Sequence, residues 1–248
     1  MRKVQVLVLS AAVLYATIEA AKFPPNLKIC HQNDANFDEC LKIAVQDALK
    51  KLKHGNPTLG LLPLDPLKIT TLDLGKSTGP VNIGLRFDNV TMHGISESII
   101  KVQKSNLSDY HLYAESLTPR LKMEANYEMD GRVLLLPIRG KGKSVITLMD
   151  LQTHLTQQGE RLEKNGNVYM NEVDFDVKME PAAMEVQFNN LFNGDVALGN
   201  NMNKFLNENW RDVLKELKPG LESALGQLFK NLANRFFLKV PFNEVFPK

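Results

Sequence analysis

The sequence predicts an α+β fold in which a long C-terminal helix is covered by a curved antiparallel β-sheet, with a short helix near the N-terminus. Two observations carry this. An apolar stripe at helical spacing runs through Met202, Leu206, Trp210, Val213, Leu217, Leu221, Leu225, Leu228, Leu232 and Phe236. The other face carries Lys204, Glu208, Arg211, Asp212, Lys215 and Glu216, so the segment is amphipathic. Between Leu67 and Phe188 the apolar period is two instead. A helix of that length spans roughly 50–60 Å at ~1.5 Å per residue. With no helical partner of equal length, its apolar face must be covered by sheet.

In chain order, the first twenty residues are a leader. Arg2 and Lys3 precede an apolar run from Val4 to Tyr15, and Ala16 to Ala21 supply a small-residue cleavage zone. Residues 1–20 are therefore a signal peptide, 21–248 form a single domain, and the chain is expected to be secreted. Cys30 and Cys40 are the only cysteines. In an oxidising compartment they form one disulfide, with free buried thiols as the alternative. A helix follows Cys40 with Leu41, Ala44, Val45, Ala48, Leu49 and Leu52 on one face, and His54-Gly55-Asn56-Pro57 stops it.

The strands alternate cleanly. Val81, Ile83, Leu85 and Phe87 face one way, and a slip near Asn89, expected to be a bulge, precedes Val90 and Met92. Leu121, Met123, Ala125, Tyr127 and Met129 repeat the pattern, as do Val145 to Leu155, Val173 to Met179 and Met184 to Phe188. Such alternation marks antiparallel strands with one wet face. Turn signals stand at Asp130-Gly131, Gly140 to Gly142 and Asn165-Gly166-Asn167. In the terminal helix Pro219 predicts a kink, or two helices end to end, and Gly220 and Gly226 weaken its second half.

Composition excludes several functions. The 30 Lys+Arg and 28 Asp+Glu become 28 and 27 once Arg2, Lys3 and Glu19 leave with the leader, a net charge of +1. That is no footprint for nucleic acid or an anionic membrane surface. No later window approaches ~18 uninterrupted apolar residues, so stable membrane insertion is not expected. The five histidines show no ligand spacing, so neither metal nor cofactor is expected. Asn89-Val90-Thr91 and Asn106-Leu107-Ser108 are glycosylation acceptors on a secreted chain. Gly75-Lys76-Ser77-Thr78-Gly79 matches a hydrolase nucleophile elbow, but Pro80 and a strand follow where a helix is required. Gly140-Lys141-Gly142-Lys143-Ser144 ends like a phosphate loop and also runs into a strand. No catalytic residue is assigned, and a serine hydrolase built on Ser77 stays as the alternative.

The inward registers are rich in methionine: Met92, Met123, Met129, Met149, Met179 and Met184. Methionine fills irregular gaps, so these residues read either as core or as the wall of an apolar cavity. Face assignment puts Phe205, Leu206, Trp210, Val213 and Leu217 of the helix opposite Met92, Met123, Tyr127, Phe175 and Phe188 of the sheet. The Tyr127 phenol could meet a polar ligand end or a backbone carbonyl.

Three blocks resemble one family. They are F-P-P-N-L-K-I-C, D-E-C-L and L-G-L-L-P-L-D-P-L-K-I between Phe23 and Leu74; Y-E-M-D-G-R-V-L-L-L-P-I-R-G-K-G from Tyr127; and N-N-L-F-N-G-D-V-A-L-G-N-N-M-N-K-F-L-N-E-N-W from Asn189, continuing to E-L-K-P-G. Together they look like the insect takeout and juvenile-hormone-binding protein family. The resemblance implies a strongly curved sheet wrapped on the long helix, as in the tubular lipid-binding superfamily, and the Cys30–Cys40 bridge beside the N-terminal helix. It also implies an elongated hydrophobic ligand inside. Dedicated hormone carriers have a second disulfide, for which this chain has no cysteines, and that departure favours the takeout branch. The expected protein is a monomeric carrier with no protein partner indicated; an extracellular glycoprotein that binds proteins or membrane surfaces is the further alternative. With no lysine or arginine on the inner registers, the expected ligand is neutral or weakly polar: an isoprenoid, ester, fatty alcohol, quinone-like lipid or juvenile-hormone-like molecule.

Overall fold

The computed structural model describes residues 21–76, 81–133 and 136–248. The leader and Ser77 lie outside the described residues. The first helix, α1 (Phe37–Lys51), carries Asp38 and Glu39 in its first turn and Lys50 and Lys51 in its last, as the helix dipole favours. It begins before Cys40, not after it, so the Cys30–Cys40 disulfide ties the entering chain to the helix's first turn, with Cα atoms 5.9 Å apart.

Antiparallel strands follow: β1 (Leu67–Lys76), β2 (Val81–His93), β3 (Ile99–Asn106), β4 (His111–Val133), β5 (Leu136–Lys164), β6 (Asn167–Glu180) and β7 (Ala183–Phe188). The sheet order is β1-β2-β4-β5-β6, with β3 beside the first half of β4 and β7 beside the first half of β5. The 29 residues of β5 would extend ~95 Å if straight, so the ribbon has to coil, and the sheet is strongly curved.

The two long strands change face together. In β4 Leu121, Met123, Ala125, Tyr127 and Met129 are buried, whereas before Pro119 the buried residues are Leu112, Ala114, Ser116 and Thr118. Thr118 pairs with Leu151 and Arg120 with Met149, leaving Pro119 opposite Asp150, which has a left-handed φ of 45°. Proline offers no donor there, so the ladder is interrupted without losing register. The buried apolar residues fall into two cores. The larger gathers β1, β2, β7, the later half of β4 and the C-terminal helices. The smaller joins α1, Leu112, Met170 and the C-terminal segment around Phe242 and Phe246.

Some turn signals fell in other places. Asn165-Gly166 is the β5–β6 turn, with φ of 52° and 77° as a primed two-residue hairpin needs, and the Asn89 slip is a bulge with φ 53°. Gly131, Gly140 and Gly142, by contrast, lie inside strands. They are sites of close approach: a Cβ on Gly131 would stand 2.1 Å from the Asn82 carbonyl oxygen, and one on Gly140 would stand 2.6 Å from Tyr127 Oη. The strand read as starting inward at Val173 also shifts. A bulge opposite Gln158/Gly159 leaves Val173 41 % exposed and turns Glu172 inside.

The terminal stripe forms α2 (Val196–Glu208) and α3 (Trp210–Phe237), and a short α4 (Phe242–Val245) follows. The interruption is at Asn209, not at Pro219, which sits within α3. Asn209 donates its side-chain amide to the Phe205 carbonyl at 2.8 Å, competing with the backbone ladder. Around Pro219 tertiary packing overrides local propensity, because α3 lies against β6 along much of its length and reaches β1 on the other edge.

Candidate functional site

The sheet's inner face and α2–α3 enclose a cavity with about 90 Å³ open to the centre of a water-sized sphere. Its wall is entirely aliphatic, aromatic or thioether. Five of its residues are the methionines Met92, Met123, Met129, Met179 and Met184; Met149, half-buried, is not in the wall. Such a space offers water no partner and stays dry. Ligand pockets occupy roughly 300–1,000 Å³ in total. The five unbranched thioethers are the part of this wall that widens by rotamer change at least cost.

The wall includes six of the ten residues assigned by face: Met92, Met123, Phe188, Leu206, Val213 and Leu217. Tyr127, Phe175, Phe205 and Trp210 are not in it, and each has a physical reason. Tyr127 is 1 % exposed, packs edge-on to Phe188 at 4.8 Å, and donates its hydroxyl to the Asn189 carbonyl at 2.8 Å. Burial pushes its phenol up to about 12, so it remains a neutral donor satisfied by the backbone. Phe175 lies further along α3 against Phe229, at 5.8 Å. Phe205 and Trp210 flank the Asn209 interruption and are only partly buried, with Arg211 lying over the Trp210 ring at 4.5 Å.

Other wall residues, such as Ile83, Leu85, Phe87 and Leu121, share the alternations that selected Met92 and Met123. Leu72 and Leu74 of β1 are less legible, because the alternation of L-K-I-T-T-L-D-L slips in phase at Thr70-Thr71 and declares no single face.

The helices are held by polar clamps that periodicity does not reveal. Asn203 accepts from the Phe188 N–H and donates to the Phe188 carbonyl, both at 2.9 Å. Asn207, one turn on, does the same for Val186 at 2.8 Å. Asn234 pairs with both backbone groups of Glu172, and Glu222 accepts from the Met179 N–H at 2.9 Å. These side chains stand in for a neighbouring strand on the open edges of β7 and β6. The spacing N-x-x-x-N at 203 and 207 was the available signal.

Among the described residues no helix is long and apolar enough to cross a membrane, and no group of three or more His, Cys, Asp or Glu could hold a metal. Both sequon asparagines, Asn89 and Asn106, are exposed.

Comparison with known proteins agrees with this architecture. "Circadian clock-controlled protein daywake" of Drosophila melanogaster is 24% identical over 234 residues, covering 91% of this chain and 89% of that protein. A Schistocerca gregaria protein named "Putative beta-carotene-binding protein" is 22% identical over 214 residues, covering 86% and 84%. The crystal structure of Epiphyas postvittana Takeout 1 superposes with a TM-score of 0.77 at 26% identity, covering 90% of this chain and all of that one. The model of the haemolymph juvenile hormone binding protein (JHBP) family matches residues 5–247, and the chain belongs to that family.

Proposed function

We propose that this protein is a secreted carrier, not an enzyme, that holds an elongated hydrophobic molecule between α2–α3 and the inner face of the sheet. The observation that carries the reading is the cavity wall, in which no polar side chain appears. Water-insoluble molecules gain ~25 cal/mol for each Å² of apolar surface withdrawn from water, and an apolar channel supplies that without chemistry on the ligand. The binding-protein family and the carotene in the locust relative's name support the same class of cargo. Of the residues assigned by face, Met92, Met123, Phe188, Leu206, Val213 and Leu217 would touch the ligand.

The wall offers no cation, so an ionised carboxylate would be unpaired within it. The cargo is therefore neutral or weakly polar: an isoprenoid, ester, long-chain alcohol or quinone-like lipid. Organic extraction of protein purified from its native secretion, followed by mass spectrometry, tests this directly. A stoichiometric neutral lipid is expected, and an empty extract together with failure to bind any apolar dye would refute the carrier. Competition by a matched fatty alcohol, methyl ester and free acid tests the class, and best displacement by the free acid at pH 7 would reveal a charged-head site. Labelling of Ser77 by a covalent serine probe would favour the hydrolase instead.

Secretion accords with the Cys30–Cys40 bridge, which oxidising compartments sustain. Glycans at Asn89 and Asn106 belong to the same reading. Enzymatic deglycosylation should raise the electrophoretic mobility of secreted protein, by one step in an Asn89→Gln variant and by none in the double variant.

A further inference from the structure

Among the described residues, the buried side-chain polar atoms without a hydrogen-bond partner are the two carboxyl oxygens of Glu172. The residue is 2 % exposed. Other buried acids are satisfied: Asp65 accepts from the Gly94 N–H and the Ser96 hydroxyl, and Glu222 accepts from Met179. Buried polar groups in native proteins are nearly always paired, so an orphan carboxyl calls for an explanation.

Its position is enforced. Asn234 holds the Glu172 N–H at 2.8 Å and its carbonyl at 2.9 Å, so the strand cannot roll the side chain outward. Alternation puts Glu172 on the register of Met170, a 1 % exposed residue of the smaller core, and the bulge at Val173 brings that register onto the inner face of Val177 and Met179 and leaves Asp174 outside. Among the described residues no cation pairs with it. Lys230 of α3 reaches the Val173 carbonyl at 3.4 Å on the exposed side, and Arg235 is exposed. Burial first, and the neighbouring Asp174 second, push its carboxyl up to about 7. In an apolar interior such a group is a hydrogen-bond donor with nothing to donate to.

Glu172 also shares the two elements that form one side of the cavity. Met179 of β6 and Leu225 of α3 belong to the wall. From them toward Glu172, β6 places Phe175 and α3 places Leu228 and Leu232, all apolar and only partly buried. At ~3.3 Å per residue, Met179 and Glu172 are roughly 20 Å apart along the strand, on the scale of an extended lipid chain.

We propose that Glu172 is the polar end of the ligand path, its carboxyl donating a hydrogen bond to a carbonyl-type oxygen on the head of an elongated ligand whose tail lies in the methionine-lined cavity. This rests on the carrier reading and names the head group that the apolar wall leaves open: a ketone, ester or quinone oxygen. Displacement of the dye N-phenyl-1-naphthylamine by 2-heptadecanone and by heptadecane, matched in chain length, measures the contribution. The wild-type protein should prefer the ketone roughly tenfold, the worth of one hydrogen bond to an otherwise unpaired group. Glu172→Gln keeps a donor and should keep the preference, whereas Glu172→Leu should lose it, so that ketone and alkane displace the dye alike. A ketone preference retained by Glu172→Leu, or absent from the wild type while both competitors displace the dye, overturns the assignment. A wild-type protein that binds neither dye nor competitor overturns the carrier reading itself.

Discussion

Tyr127 shows how one atom changes a residue's role. Its ring packs on Phe188, and its hydroxyl ends on the Asn189 carbonyl rather than in the cavity. Tyr127→Phe should therefore leave ligand affinity unchanged and lower the unfolding free energy by ~1–2 kcal/mol in urea titration, because the carbonyl loses its partner. An affinity loss would show that the hydroxyl turns to the ligand. Glu172 supplies the pH dependence. Its folded value of about 7 lies above the ordinary 4.5, so the folded state holds the proton more tightly. Stability from this group is fully present below pH 4.5, falls as pH rises and is lost by the time pH has passed 7. The total is about 3 kcal/mol in the ligand-free protein. Denaturant titrations at pH 5 and pH 8 should differ by a large part of that, and Glu172→Gln should remove the difference.

At the scale of the element, α3 is seated by the absence of side chains as much as by their presence. A Cβ on Gly220 would lie 2.6 Å from the Leu74 carbonyl oxygen of β1, and one on Gly226 would lie 2.4 Å from that of Phe175 on β6. The helix is wedged between both edges of the sheet at its two glycines. Gly226→Ala gains ~1 kcal/mol in helix propensity yet must displace a strand carbonyl. Its midpoint of thermal unfolding should fall, and a rise would mean that the edge yields freely. The clamps on β7 act in the opposite sense. Asn203→Ala strands a buried N–H and a buried carbonyl, and should cost ~2–4 kcal/mol by denaturant titration. Asn203→Asp keeps the acceptor and loses the donor, so it should fall between the two.

For the whole molecule, the two cores divide the labour. The larger encloses the cavity, while the smaller joins α1, the C-terminal segment and the disulfide. Closing a ten-residue loop contributes ~2–3 kcal/mol on the chain-entropy model. A Cys30→Ser/Cys40→Ser protein should thus unfold more readily in denaturant while binding apolar dye at room temperature with unchanged affinity. Loss of dye binding in a still-folded variant would mean that the smaller core shapes the cavity.

Much of this was legible in the chain. Period-two alternation over Leu121–Met129 and period 3.6 over Met202–Phe236 identify the elements, and both faces turn inward, because turning apolar surface inward is a property of the pattern itself. The strand face is buried throughout, and the helix face is buried at Met202, Leu206, Val213 and Leu225 and partly buried at the rest. Asn165-Gly166 declared its hairpin for an equally local reason, since both residues tolerate positive φ. Other features depended on partners distant in sequence. Gly140 and Gly142 look like a turn but serve the approach of Tyr127 and Asn189, and Pro219 looks like a break but lies in a helix held by two strand edges. The bulge that exposes Val173 and buries Glu172 arises where β6 meets β5, so no pattern within β6 announces it. Local periodicity determined which face of each regular run is inside; where a bulge resets that face, which inside residues line the cavity, and which only support it, was decided by how the sheet coils and where the helices meet its edges, because those depend on backbone contacts between segments far apart in the chain.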